Sequence, residues 1–209
     1  MIGLLRKNNS ARAFSLVEML VVISVIAILA GFSLPAMNQI QSATALSSAS
    51  ESLVDQLKLA RQQAVTRNRP VEVRLYQLPD PTNGSKKVWR GLQLFIVEED
   101  GLVAADRPIY FPPQIKMSDS ATYSSLLDHA RSDITQSTGA ASGVALPGVG
   151  VDYSYRAFRF RPDGSTSLAS SAFATLYPGN ASTSGSAPAQ NWFAVQIDSL
   201  TGAVQTFRP

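Results

Sequence analysis

From Phe14 to Leu34 the chain reads FSLVEMLVVISVIAILAGFSL, apolar or small throughout except for Glu18. The next charged residue is Glu51. As an α-helix rising about 1.5 Å per residue, the part from Leu16 to Leu34 is roughly 28 Å long, close to the thickness of a bilayer's hydrocarbon core. Such a segment can span a membrane once. Arg6, Lys7 and Arg12 are the only charged residues ahead of it, and the positive-inside rule puts them in the cytoplasm with the C-terminal bulk outside. A cleavable secretory signal shares the basic start but has a shorter apolar core. A plain anchor explains the length. Neither explains Glu18, because an ionisable group inside a membrane span is costly and asks for a named partner.

Ala13-Phe14-Ser15-Leu16-Val17-Glu18, after a short basic leader and at the head of an apolar helix, resembles the prepilin leader of type IV pilins and type II secretion pseudopilins. Pro35 stands where those helices commonly carry a proline. The resemblance implies that a prepilin peptidase cuts between Ala13 and Phe14 on the cytoplasmic face of the bacterial inner membrane and methylates the new amino group of Phe14. The family usually has glycine where this chain has Ala13. Glu18 is then the assembly carboxylate, and Pro35 the helix kink. In a low-dielectric bundle an unpaired carboxylate is heavily penalised. The amino group of Phe14 on a neighbouring subunit can neutralise it, and removing either partner costs more than the pair gains.

Beyond the membrane the helical period continues. Ile40, Ala43, Leu46, Ala49, Leu53, Leu57, Ala60 and Ala64 recur at spacings of three and four, an apolar face reaching about Arg67. Pro70 ends the helix. The pattern then turns to period two: Val71, Val73 and Leu75 alternate with Glu72, Arg74 and Tyr76 as a half-buried strand. Residues 80–85 read as a turn and Val88–Val97 as the returning strand. Glu98-Glu99-Asp100-Gly101 reads as a solvated hairpin tip, since it lacks the alternating ligand spacing of a calcium loop. Short strands follow near 107–111 and 114–117, a short helix carrying Asp128 and His129 at 120–134, and a loop at 136–150. Further strands are expected near 153–161, 172–177, 192–197 and 203–207, with a second loop at 179–189. Alternation turns Phe158 and Phe160 inward and sets Arg159 and Arg161 on the opposite face.

The stretch from Leu57 to Val71 looks like the helix-to-strand junction of the GspH/FimT class of minor pseudopilins. Phe160-Arg161-Pro162-Asp163-Gly164 and Asp198-Ser199-Leu200-Thr201-Gly202 match that class's later patterns. From Leu53 to about Met117 the chain is also similar to the prepilin-like Verru_Chthon cassette protein D. The implied fold is α+β: a long N-terminal helix, transmembrane and then amphipathic, packed on an antiparallel β-sandwich-type domain. Its expected parts are a cleaved leader at 1–13, a membrane and assembly helix at 14–36, an amphipathic helix at 37–69 and a periplasmic β-rich domain at 70–209. The implied partners are the prepilin peptidase, other pilins or pseudopilins in a filament, and inner-membrane lipid.

Composition narrows the rest. The 209 residues contain no cysteine and one histidine, which excludes disulfides, cysteine-ligated metals, a thiol nucleophile and a multi-histidine centre. His129 lies in a polar stretch with no nucleophile-elbow motif, and no phosphate-binding glycine loop is present. A non-enzymatic subunit without cofactor or metal is expected. The alternative is a FimT-like minor pilin that binds DNA, through Arg159, Arg161 and Arg208. The net charge of +3 argues against it, because the excess lies wholly in the leader: without Arg6, Lys7 and Arg12, 15 Lys and Arg face 15 Asp and Glu. Nucleic acid is therefore not an expected partner.

Overall fold

The computed structural model describes residues 15–179 and 191–209, and leaves the side chains of 31–39 undescribed. The leader, Ala13, Phe14 and most of the expected 179–189 loop lie outside the described residues, as does the Pro35 side chain. The chain divides into two units, Met1–Ile40 and Gln41–Pro209. The first helix, α1, has the bounds Leu16–Arg67 and so contributes to both.

In the first unit Ser15 caps the helix: its Oγ accepts the Glu18 N–H at 3.1 Å, and its carbonyl accepts the Met19 N–H at 3.2 Å. In the second unit the buried side of α1 runs through Ala45, Leu46, Ala49, Leu53, Leu57, Ala60 and Ala64. The apolar face expected to begin at Ile40 therefore starts later, because Ile40 is 63% exposed and Ala43 is exposed. Ser50 lies inside this face and donates its hydroxyl to the Leu46 carbonyl at 2.6 Å, which lets a polar residue be buried without an orphaned donor. The helix stops before Pro70. Asn68 takes the left-handed conformation at φ 50°, while the N–H groups of Asn68 and Arg69 donate back to Val65 and Ala64. That is a Schellman closure with asparagine in the position glycine usually holds.

The strands are β1 (Val71–Pro79), β2 (Lys87–Glu98), β3 (Gly101–Ala104), β4 (Ile109–Tyr110), β5 (Ile115–Met117), β6 (Thr135–Thr138), β7 (Ser154–Phe160), β8 (Ala172–Pro178), β9 (Phe193–Ile197) and β10 (Val204–Phe207). All observed pairings are antiparallel, in the order β10-β9-β8-β5-β2-β1-β7-β6, with β3 and β4 also on β2. This is the expected α+β architecture, with the strands in one hydrogen-bonded path. Its two halves meet at β5, which touches β2 through the single pair Trp89 and Met117 but β8 through three pairs. Val71, Val73 and Leu75 of β1, Leu92, Leu94 and Ile96 of β2, and Phe158 and Phe160 of β7 join the α1 face in one core.

Three local expectations are corrected. β1 is buried on both faces rather than half-buried, with Glu72, Arg74 and Tyr76 as enclosed as their apolar neighbours. The reason is that the polar row neutralises itself. Glu72 Oε1 accepts from Arg74 at 2.8 Å, and the Arg74 guanidinium lies 4.3 Å from the ring centres of both Phe95 and Tyr155. Residues 120–134 hold only one 3-10 turn, Ser125–Leu127, instead of a helix. Here the serines serve the sheet: Ser124 and Ser125 accept the N–H groups of Thr175 and Phe173 of β8 at 3.0 Å, where β5 no longer pairs with that strand. Finally, the loop expected at 136–150 contains most of β6 and a one-turn helix, α2 (Gly139–Ser142), capped by Thr138.

Candidate functional site

The sequence singles out an assembly segment, a set of late turns, and a few arginines. The assembly segment contains Glu18. Leu16, Val17, Met19, Leu20, Ile23 and Ile26 all lie more than half exposed, on every side of the helix. A helix that is apolar all round is stable only when something covers all of it, a bilayer or a bundle of like helices. Among the described residues no helix is long and apolar enough to cross a membrane. The described apolar side chains stop at Ala30, whereas the run in the sequence continues to Leu34.

Glu18 is an exposed residue in the first turn of this helix. Together with Ser15 it has the S-x-x-E spacing of a capping box, a signal legible in the sequence that reasoning from the leader motif passed over. The spacing places a carboxylate at the positive end of the helix dipole. Farther along, Ser24 returns its hydroxyl to the Leu20 carbonyl at 2.7 Å, so it adds no unsatisfied polar group to the apolar surface.

In the globular unit the late motifs converge on one side chain. Arg61 of α1 donates Nε to the Thr201 carbonyl at 3.0 Å and more weakly to the Gly164 carbonyl at 3.4 Å. Gly164 and Gly202 are both left-handed, at φ 84° and 63°, and a Cβ on Gly202 would overlap the Gly164 carbonyl oxygen. Each turn is built by its aspartate. Asp163 accepts from the Ser165 N–H and hydroxyl, and Asp198 from the N–H groups of Leu200 and Thr201 and the Thr201 hydroxyl. These bonds favour the charged form and hold both carboxyls below the usual carboxylate range. Three segments far apart in the sequence are thus one structural junction. Sequence reasoning recognised each pattern and missed their meeting point, because nothing local in the Arg61 stretch announces it.

The arginines behave differently from one another. Phe158 and Phe160 point inward and Arg159 outward, as alternation requires. Arg159 is committed, however: Nε and Nη2 reach Glu72 Oε2 at 2.9 and 2.8 Å. Arg161 lies just past β7 and is exposed. Arg208 reaches Ser47 Oγ of α1 at 2.8 Å and lies 5.3 Å from the Phe193 ring centre. Among the described residues no hydrogen bond, ion pair or ring contact joins the three. Arg156 is almost fully buried, donating to the Asp128 carbonyl and to Gln136 Oε1. His129 is exposed, with Nδ1 3.3 Å from the same Gln136 oxygen. At the acidic tip Arg69 pairs with Glu98 at 2.8 Å, and Gly101 at φ 134° begins β3. Among the described residues no three His, Asp or Glu side chains gather as a metal site.

A helix apolar on all sides, joined in sequence to an amphipathic stretch on an antiparallel sheet, defines the class of pilin-like filament subunits. The prokaryotic N-terminal methylation motif matches residues 8–34, and the family Type II transport protein GspH matches residues 49–188. The second match covers more than half of the chain, so the chain belongs to the GspH family. It is a minor pseudopilin or pilin, a subunit of the type II secretion or type IV pilus kind. Among solved structures it is similar to the minor pseudopilin EpsH from the type 2 secretion system of Vibrio cholerae. Identity there is 10% over 78% of this chain and 97% of that one, with a TM-score of 0.42. The type IV minor pilin FimU of Pseudomonas aeruginosa is 16% identical over 78% of this chain and 92% of that one, with a TM-score of 0.43. No curated protein matches the chain.

Proposed function

We propose that the chain is made as a prepilin, held in the bacterial inner membrane by one pass with its N-terminus in the cytoplasm and its β-domain in the periplasm. Prepilin peptidase cuts between Ala13 and Phe14 and methylates Phe14. The subunit then leaves the bilayer to become a minor, non-catalytic part of a short filament. Glu18 is neutralised there by the Phe14 amino group of a neighbour, which fixes register because a misplaced carboxylate stays unpaired in a low-dielectric bundle. The observation that carries this reading is a helix apolar on every side with one carboxylate in its first turn, inside the matched methylation motif.

Glu18→Ala separates processing from assembly. The variant is expected to be cleaved and methylated like the wild type yet to be missing from sheared filaments. Incorporation at the wild-type level would overturn the pairing role.

A further inference from the structure

The sheet ends in β6 on one side and β10 on the other, and β3 forms a further edge where it lies outside β2. Charged residues and proline are the usual guards against added strands at such edges. β6 is polar throughout, and β10 runs into Arg208, tied back to Ser47, and then Pro209. β3 reads Gly-Leu-Val-Ala and has no such guard. All of its residues are exposed, Leu102 at 37% and Val103 at 53%, and among the described residues it pairs with β2 alone.

Two bonds fix which backbone groups of β3 are left over. The Ala105 N–H donates to the Leu94 carbonyl and the Val97 N–H to the Pro70 carbonyl, so from Leu94 to Glu98 the even-numbered residues bond towards β3 and the odd-numbered ones towards β1. Because Ile96 stands opposite Val103 and Val97 opposite Leu102, Val103 bonds to β2, while the N–H and C=O groups of Leu102 and Ala104 face outward. The same edge is charged at one end. Of the acids at the hairpin tip, Arg69 holds Glu98 at 2.8 Å, but it is 4.0 Å from Glu99, whose side chain is 92% exposed. Asp100 is exposed and in no ion pair among the described residues. At the other end Asp106 and Arg107 offset each other.

We propose that β3 accepts an added strand from a different protein chain, antiparallel like every other pairing in this sheet. Its apolar residues lie opposite Leu102 and Val103, and Lys or Arg lies opposite Asp100 and Glu99. The outward groups of Leu102 and Ala104 are then paired, Leu102 and Val103 are covered on opposite faces, and the acidic tip gains its counter-charge. The charges also set direction, because an antiparallel partner brings its C-terminal end to the tip. A second copy lacks this match: paired antiparallel about Val103, it sets Asp100 against Asp106 and offers the tip only its neutral end.

The probe is the peptide acetyl-Thr-Val-Val-Thr-Lys-Lys-amide, titrated into the isotope-labelled full chain in zwitterionic micelles and followed by NMR. The Leu102 and Ala104 amides should shift saturably and exchange with solvent about tenfold more slowly, whereas Val103, already bonded to β2, should keep its rate. N-methylation of the second valine, whose N–H faces Leu102, should abolish these effects, and N-methylation of the first, whose N–H points away, should not. Glu99→Lys with Asp100→Lys should weaken binding about tenfold and favour the same peptide ending in two glutamates. Ala104→Pro removes only an outward N–H, so it should lose the peptide and keep the unfolding midpoint. No saturable shift, or indifference to the site of N-methylation or to charge reversal, would overturn the proposal. So would a Val103→Cys variant that oxidises quantitatively to a dimer, the result a second copy on this edge requires.

Discussion

The two stretches of α1 solve opposite problems with similar residues. Between Leu46 and Ala64 the apolar positions fall every three or four residues and are buried against the chain's own sheet. Between Leu16 and Ala30 they fall at almost every position, and Ile23 and Ile26 remain about 60% exposed. The first pattern is satisfied by the chain itself, whereas the second needs a cover that the described residues do not supply. The difference teaches that helical period distinguishes a folding surface from an assembly surface: one-sided burial makes a domain, and all-round apolarity makes a part of something larger.

Core substitutions are the largest way to sharpen that contrast. Leu53→Ala should lower the unfolding free energy of the β-domain by about 3 kcal/mol, whereas Ile23→Ala should leave it within about 0.5 kcal/mol. Urea titration of the full chain in detergent, followed by tryptophan fluorescence, reads both. Equal effects would break the distinction between the two stretches. The polar side of the sheet comes next. Glu72→Gln leaves the buried Arg74 guanidinium without its charge partner and should cost about 3 kcal/mol in the same assay. Gly202→Ala combines a positive φ with a clash at the Gly164 carbonyl. It should cost about 2 kcal/mol and loosen the Arg61 junction, seen as faster amide exchange at position 202 and at Thr166.

The pH dependence is a smaller effect. Asp133 is held down at about 2 by its pairing with Arg131, with further help from the Ala169 N–H. A carboxyl depressed in the folded state contributes stability that is present above its ordinary value and is lost as pH falls through its folded value. That window lies between about pH 4 and about pH 2. Asp133→Asn should flatten this part of the acid unfolding curve and leave the slope near pH 7 unchanged. Smallest of all is Arg208→Ala, whose exposed bond to Ser47 should be worth no more than about 0.5 kcal/mol.

Much of the fold was legible because burial repeats. The β1 and β2 pairing, the acidic hairpin tip, the inward turn of Phe158 and Phe160, and the final hairpin all follow from period and turn residues. What was not legible depended on contacts across the sequence. Val71–Tyr76 looks half-buried because Glu72 and Arg74 are polar, and only their mutual pairing beneath Phe95 and Tyr155 lets them be enclosed. The stretch around Ser124 and Ser125 has the look of a helix in sequence, though its hydroxyls are spent on the N–H groups of β8. Alternation alone sets Arg159 on the outer face as a candidate for DNA contact, and only Glu72, 87 positions away, commits it to an ion pair. At the assembly segment the S-x-x-E cap was available in the sequence, while the junction at Arg61 needed three distant segments to be seen together.

The central claim is that the apolar stretch is an assembly element exposed by processing. The most direct test is intact-mass and N-terminal peptide mass spectrometry of the protein recovered from membranes of cells that carry a prepilin peptidase. The account predicts a chain that begins at Phe14 and carries one added methyl group. A chain that still begins at Met1, or one cut after Ala36 with the apolar stretch removed, would contradict it.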